Sequence, residues 1–208
     1  MKIILLGPPG SGKGTQAELL EKQLKIKKIS PGDILRTEIN NNTQIGIKIK
    51  KIQNNGMLIN DTIIINLIKK YIQNETKIIL DGFPRTLDQA NFLLKNKIYI
   101  NYLINIDIKN ENIIKRLKYR LINNKSKKIY NIIYKKPKIK NKDDINGKTL
   151  TLRSDDKYQT IITRLLTYNT NTKKIIYHYK KQTKTKIINI NGNKNITHIF
   201  NSIKKNIL

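Results

Sequence analysis

Residues 3–6, Ile-Ile-Leu-Leu, form an uninterrupted apolar run that stops at Gly7-Pro8-Pro9-Gly10, and over residues 15–24 apolar positions return at helical spacing, at Ala17, Leu20 and Leu24. That pattern predicts a buried strand, a loop and a helix. Short runs of the same buried kind recur at residues 77–81, 102–107 and 186–190, separated by helical stretches that include residues 61–71 and 110–121. Strands alternating with helices predict an α/β fold whose parallel sheet is covered on both faces.

Two stretches break this rhythm. Ser30-Pro31-Gly32-Asp33 reads as a helix start, with Ser30 as cap, Pro31 in the first turn and Asp33 reaching back as in a capping box. The polar helical segment that follows runs to about residue 59 and predicts a small helical subdomain. Over residues 122–156 helical periodicity disappears, Tyr130, Ile132 and Tyr134 alternate, and Pro137 and Asn146-Gly147 supply turns. A small antiparallel insertion is expected there.

The length of 208 residues fits one compact body carrying small insertions. A net charge of +28 would ordinarily suggest a nucleic-acid or membrane-surface partner. Here Ile, Lys and Asn crowd every part of the chain, all from codons rich in A and T, so base bias accounts for most of the lysine as solvated surface. With no cysteine there is neither a disulfide framework nor a thiolate metal site. The apolar start is too short for a signal-peptide core, and no later run approaches a membrane span, so a soluble, cytoplasmic protein is expected.

The candidate chemistry begins at Gly7-Pro8-Pro9-Gly10-Ser11-Gly12-Lys13-Gly14-Thr15, between the first strand and the first helix. Such a loop turns backbone N–H groups toward phosphate oxygens, the helix N-terminus adds partial positive charge, and Lys13 is placed to bridge to the outer phosphates. Gly14 stands where a Mg²⁺-binding Ser or Thr usually follows the lysine; the hydroxyl is displaced to Thr15, so direct metal ligation by the loop is not expected. The arginines carry a second argument. Six of them, Arg36, Arg85, Arg116, Arg120, Arg153 and Arg164, stand among 36 lysines. Positions that stay arginine in such a chain need the planar fork that binds phosphate bidentately. Arg116 and Arg120, four residues apart, are expected on one helix face.

The loop, the segment Ser30-Pro31-Gly32-Asp33-Ile34-Leu35-Arg36 and the turn Asp81-Gly82-Phe83-Pro84-Arg85-Thr86 together resemble the adenylate kinases over essentially the whole chain, including an insertion similar to the long lid of the bacterial type. The resemblance implies a P-loop kinase core of residues 1–29, 60–118 and 157–208, an AMP-binding helical domain at 30–59 and a lid at 119–156. It implies Mg·ATP and AMP as substrates, with ATP held by Gly10, Ser11, Gly12, Lys13, Gly14, Thr15, Arg116, Arg120, Ile129, Tyr130 and Lys194, the last beside Gly192. AMP would be held by Pro31, Arg36, Met57, Leu58, Ile59, Gly82, Phe83, Pro84, Arg85, Gln89, Arg153 and Arg164, with Gln89 reading the adenine. Catalysis would fall to Lys13, Asp81, Arg85, Arg120, Arg153 and Arg164, with Mg²⁺ oriented through waters near Asp81 and Asp33 a weaker partner. Asp155 and Asp156 would position lid arginines, and a monomer is expected. No general base is needed, because the attacking phosphate oxygen is already ionised, and His178 and His198 read as ordinary helix-face residues.

Three departures qualify the resemblance. Pro31 replaces a threonine that helps to hold AMP, so weaker AMP affinity with unchanged base preference is expected. Asn123, Ser126, Asp143 and Asn146 occupy the spacing at which zinc-bearing relatives place four cysteines, and predict a polar network and no structural zinc. Leu121 stands where a further arginine is usual. Two alternatives remain at this level: a kinase of the same fold with a UMP or CMP acceptor or a GTP donor, which the long lid and Gln89 disfavour, and a decayed kinase acting as a basic polyanion-binding protein. Weak nonspecific nucleic-acid binding is compatible with any of these.

Overall fold

A computed structural model describes residues 1–123, 125–126, 128–153, 155–182 and 184–208, the side chain at 182 excepted. A five-stranded sheet runs in the order β2 (Lys27–Ile29), β3 (Ile78–Asp81), β1 (Lys2–Leu6), β4 (Tyr102–Asp107), β8 (Lys186–Asn191), and all its pairings are parallel. The unbroken apolar run of β1 follows from burial on both sides. Ile3 and Leu5 join the core beneath α1 (Lys13–Leu24) and α9 (Ile196–Ile207), while Ile4 and Leu6 join the opposite core beneath α4 (Asp61–Ile72), α5 (Leu87–Lys95) and α8 (Lys173–Gln182). The expected α/β sheet is therefore present. β2 escaped the pattern because it is an edge strand of three residues, Lys-Lys-Ile, of which Ile29 alone is buried.

The helical insertion consists of α2 (Pro31–Asn40) and α3 (Gln44–Asn54). Ser30 caps α2 as expected, its Oγ accepting from the Asp33 N–H at 3.4 Å. The reciprocal half of the box does not form. The Asp33 carboxylate turns to Arg36 and to Lys28 instead, because two cations outcompete one backbone amide. Thr43 caps α3 through the Gly46 N–H at 3.0 Å and donates to Glu38 Oε2 at 2.7 Å. Gly46 lies against the Glu38 carbonyl so closely that a Cβ there would stand 2.2 Å from the oxygen.

The helix expected over residues 110–121 ends sooner. α6 spans Asn110–Lys118, and Arg120 opens β5 (Arg120–Ile122), which pairs antiparallel with β6 (Ile129–Asn131) and β7 (Thr151–Leu152). Arg116 and Arg120 therefore do not share a helix face. The reason is Leu121, which packs with Tyr130 and Leu150 in the small core of this sheet and so accounts for the missing arginine. The expected alternation through Tyr130, Ile132 and Tyr134 is also corrected. The strand stops at Asn131, whose side chain accepts from the N–H groups of Ile133 and Tyr134 at 2.9 and 3.0 Å and folds the chain into a turn.

At the tip of the insertion, Asn123 and Asn146 exchange side-chain hydrogen bonds of 3.3 and 3.4 Å. The Asn123 side-chain Oδ1 also accepts from the Lys125 and Ser126 backbone N–H groups, while Asp143 accepts from the buried Tyr130 hydroxyl at 2.8 Å. α7 (Tyr158–Thr167) passes through one π-helical turn, Tyr168–Thr172, into α8. His178 and His198 lie on α8 and α9. Among the described residues no helix is long and apolar enough to cross a membrane.

Candidate active site

All five strands of the parallel sheet end on one edge, and the loops leaving that edge meet the helical insertion and the antiparallel insertion around a cavity of about 730 Å³. Of the residues assigned from the sequence to ATP, AMP or catalysis, all line this cavity except Pro84. They arrive from positions as far apart in the chain as Gly10 and Lys194, so it is the topology that brings them together.

α1 begins at Lys13 after Gly12, with neither a side-chain cap nor an acidic residue of its own in its first turn, so the helix supplies no local acceptor for its leading N–H groups. Lys13 Nζ donates to the carbonyls of Gly7 and Pro8 at 2.6 and 2.8 Å and to Ser11 Oγ at 3.3 Å. Burial, together with the nearby Arg85, Arg164 and Arg120, pulls its pKa down to about 7 against the opposing pull of Asp81. Asp81, at the end of β3, has its carboxyl raised chiefly by burial. Its Oδ2 lies so near Gly14 that a Cβ there would stand 3.3 Å away.

Arg116 bridges two loops, donating to the carbonyls of Gly192 at 2.8 Å and Ser11 at 3.4 Å, and its guanidinium lies 5.3 Å from the ring centre of Tyr134. Tyr134 was not singled out by sequence because its apparent place in a strand concealed it. At the neck of the antiparallel insertion, Arg120 Nε donates to Asp156 Oδ2 at 2.6 Å, and Arg153 forms a fork with Asp155 at 2.9 and 2.7 Å. Arg164 joins the same Asp155 carboxylate at 3.0 Å. Burial weighs against ionising Asp155, but Arg153 and Arg164 outweigh it and hold its carboxyl far below the usual range. Burial lowers Arg36, Arg85, Arg120 and Arg164 below the ordinary guanidinium range. The cluster thus carries more positive charge than Asp33, Asp81, Asp155 and Asp156 neutralise.

On the other side, Gly82 adopts φ +67°, which lets Arg85 fold back so that its Nε donates to the Gly82 carbonyl at 2.8 Å. A Cβ at Gly82 would stand 3.1 Å from the Arg85 guanidinium. The π-helical turn carries Thr172 to the Arg85 carbonyl, to which its hydroxyl donates at 3.0 Å. Pro31 occupies the first turn of α2 and is buried. Gln89, 2 % exposed, is held by the Arg85 amide and by Asp61. Sequence reasoning passed over Asp61, although Thr86-x-x-Gln89 has the spacing of a capping box and would have drawn attention to the corner.

The sequence matches the family described as Adenylate kinase over residues 5–184. It is also similar to an adenylate kinase from Buchnera aphidicola subsp. Cinara cedri (strain Cc), 46% identical over 210 residues that cover 100% of this chain and 97% of that protein.

Proposed function

The chain belongs to the adenylate kinase family and is an enzyme of that activity, the reversible phosphoryl transfer from ATP to AMP that gives two ADP and balances the adenine nucleotides; we propose that both nucleotides lie end to end in the single cavity, their phosphates meeting at its arginines. The observation that carries this arrangement is the convergence of Lys13, Arg85, Arg120, Arg153 and Arg164 from separate elements on one space, with charge in excess of the local carboxylates. Phosphoryl transfer between phosphates needs positioning and neutralisation rather than a protein base, and such a cluster supplies both.

In this reading residues 10–15 hold the ATP phosphates, and Arg116 with Tyr134, Ile129, Tyr130 and Lys194 frames its adenine. Arg36 and Arg85 clamp the AMP phosphate, the backbone of Met57 to Ile59 and Gly82 to Phe83 lines its nucleoside, and Gln89 reads its base. The carboxylates of Asp155 and Asp156 hold Arg153, Arg164 and Arg120 in place, so that their free N–H groups meet the transferring group already oriented. The two insertions act as the AMP-binding domain and the lid that exclude water. The lid is held by its Asn123, Ser126, Asp143 and Asn146 network in place of a metal. A monomer working in the cytoplasm is part of the same reading.

Mg²⁺ fits as the metal of the nucleotide. Asp81 offers an oxygen donor whose burial disfavours its own charge, a cost that a neighbouring cation relieves. Among the described residues no three His, Cys, Asp or Glu side chains gather to cage an ion, which suits a metal held largely by waters and phosphates. When bound, Mg²⁺ neutralises charge on the phosphate oxygens of the donor.

The test is ADP formation from Mg·ATP with AMP, CMP, UMP and GMP in parallel, beside the Arg85→Ala variant. Activity with AMP is expected to exceed the others, and kcat with AMP to fall about 10² to 10³-fold in the variant. Full activity in Arg85→Ala would overturn the assigned clamp.

A further inference from the structure

Gln89 reaches the cavity from the first turn of α5, and its two amide ends are occupied by groups that cannot exchange places. Its Oε1 accepts from the Arg85 N–H at 2.7 Å, and its Nε2 donates to Asp61 Oδ1 at 2.7 Å. A backbone N–H can only donate and a carboxylate only accept, so the reversed amide would set donor against donor and acceptor against acceptor. Asp61 is itself fixed. Its other oxygen accepts from the Thr86 hydroxyl at 2.7 Å, and it sits in the first turn of α4, where negative charge is favoured. Thr86 in turn caps α5 through the Gln89 N–H at 3.2 Å. Asp61 is not among the residues lining the cavity, whereas Gln89 is, beside the apolar side chains of Leu35, Ile59, Ile64 and Phe83 from a single core cluster.

After these bonds the amide retains one lone pair on Oε1 and one hydrogen on Nε2, in a fixed order. That order is complementary to adenine, whose exocyclic amino group donates and whose neighbouring ring nitrogen accepts. Hypoxanthine and guanine present the reverse, a carbonyl oxygen beside a ring N–H. A glutamine free to rotate about its last bond would serve either edge equally. We propose that Asp61 is the positioning residue that makes the acceptor site select adenine, by locking the amide of Gln89 so that 6-oxopurines meet a mismatched donor and acceptor. This rests on the reading of Gln89 as the contact to the AMP base.

The experiment compares kcat/KM for AMP and for IMP, which differ only at that edge of the base, in the parent enzyme and in Asp61→Asn, Asp61→Ser and Gln89→Ala, each with saturating Mg·ATP and a thermal melt to establish folding. Asn and Ser can donate as well as accept, so either substitution removes the acceptor-only constraint at Nε2 while keeping a partner for it, and leaves the Arg85 N–H as the remaining bias on the amide. Asp61→Asn is expected to lower the preference for AMP over IMP about tenfold, as the loss of one ordered amide-to-base pairing does, with KM for ATP unchanged. A structural role alone would depress AMP and IMP together and leave the ratio where it was, and that result in a folded Asp61 variant, with Gln89→Ala lowering the ratio, overturns the lock while sparing the reader. An unchanged ratio in Gln89→Ala removes the reader and the lock with it. Failure of both Asp61 variants to fold would assign the carboxylate to stability and likewise overturn the proposal.

Discussion

Lys13 is held by three oxygens of its own loop, yet burial and the surrounding arginines leave its ammonium costly, with a pKa near 7 in place of 10.5. Two consequences follow from the sign of that shift. Between about pH 7 and 10.5 the unfolded chain binds more protons at this residue than the folded one, so the contribution of Lys13 to stability rises with pH across that window. Nucleotide phosphates favour the charged form, so binding of ATP above about pH 7 draws a proton from solution and weakens as the pH rises further. Calorimetry near pH 8 in buffers of different ionisation enthalpy is expected to show net proton uptake on ATP binding. Binding with no proton uptake would contradict the shifted lysine. At this scale the sequence was readable wherever chemistry restricted the residue type: loop glycines, the lysine and all six arginines stand at the cavity. It passed over Asp61 and Thr172, which reach the site only through side chains or carbonyls of other residues.

Among the elements, α2 and α3 share a core cluster through Leu35 and Ile49 and also press one backbone against the other. A methyl at Gly46 would meet the Glu38 carbonyl carbon at 2.4 Å as well as its oxygen, and both atoms belong to helix backbone that cannot rotate away. Gly46→Ala is expected to destabilise by about 3 kcal/mol, at the upper end of overpacking costs, lowering the melting temperature by about 6 to 12 °C. An unaltered melting curve would mean that the two helices are not held in this contact. The stretch was foreseen as one helical segment running to about residue 59, because the Ser30 cap is local; its division into two helices, the second ending at Asn54, was not. Nor was the end of α6, because Leu121 leaves the helix for a core made with Tyr130 and Leu150, partners it meets only in three dimensions. The turn after Asn131 was misread for a related reason. Its alternating apolar residues imitate a strand, and only the Asn131 side chain, bonding two amides ahead, decides against one.

Across the whole molecule, 42 basic residues face 14 acidic ones, and the surviving ion pairs concentrate around the site rather than over the surface. Self-repulsion of that size opposes compaction and is screened within about 8 Å at physiological ionic strength. The melting temperature is therefore expected to rise from low to moderate sodium chloride, and a flat profile would show that the lysines are too dispersed to matter. ATP, tested at fixed salt, should raise it further, because the cluster at the cavity gains the anions it lacks.

The strand order has a consequence during protein synthesis. β1 lies at the centre of the sheet between β3 and β4, yet it leaves the ribosome some seventy residues before the first of them. At about 5 to 20 residues per second, its Ile-Ile-Leu-Leu segment waits for several seconds with both hydrogen-bonding edges open, the condition under which strands recruit copies from other chains. In those seconds the lysines that burden the finished fold act in its favour, since nascent chains of like charge on one polysome repel one another before any of them has a sheet to complete.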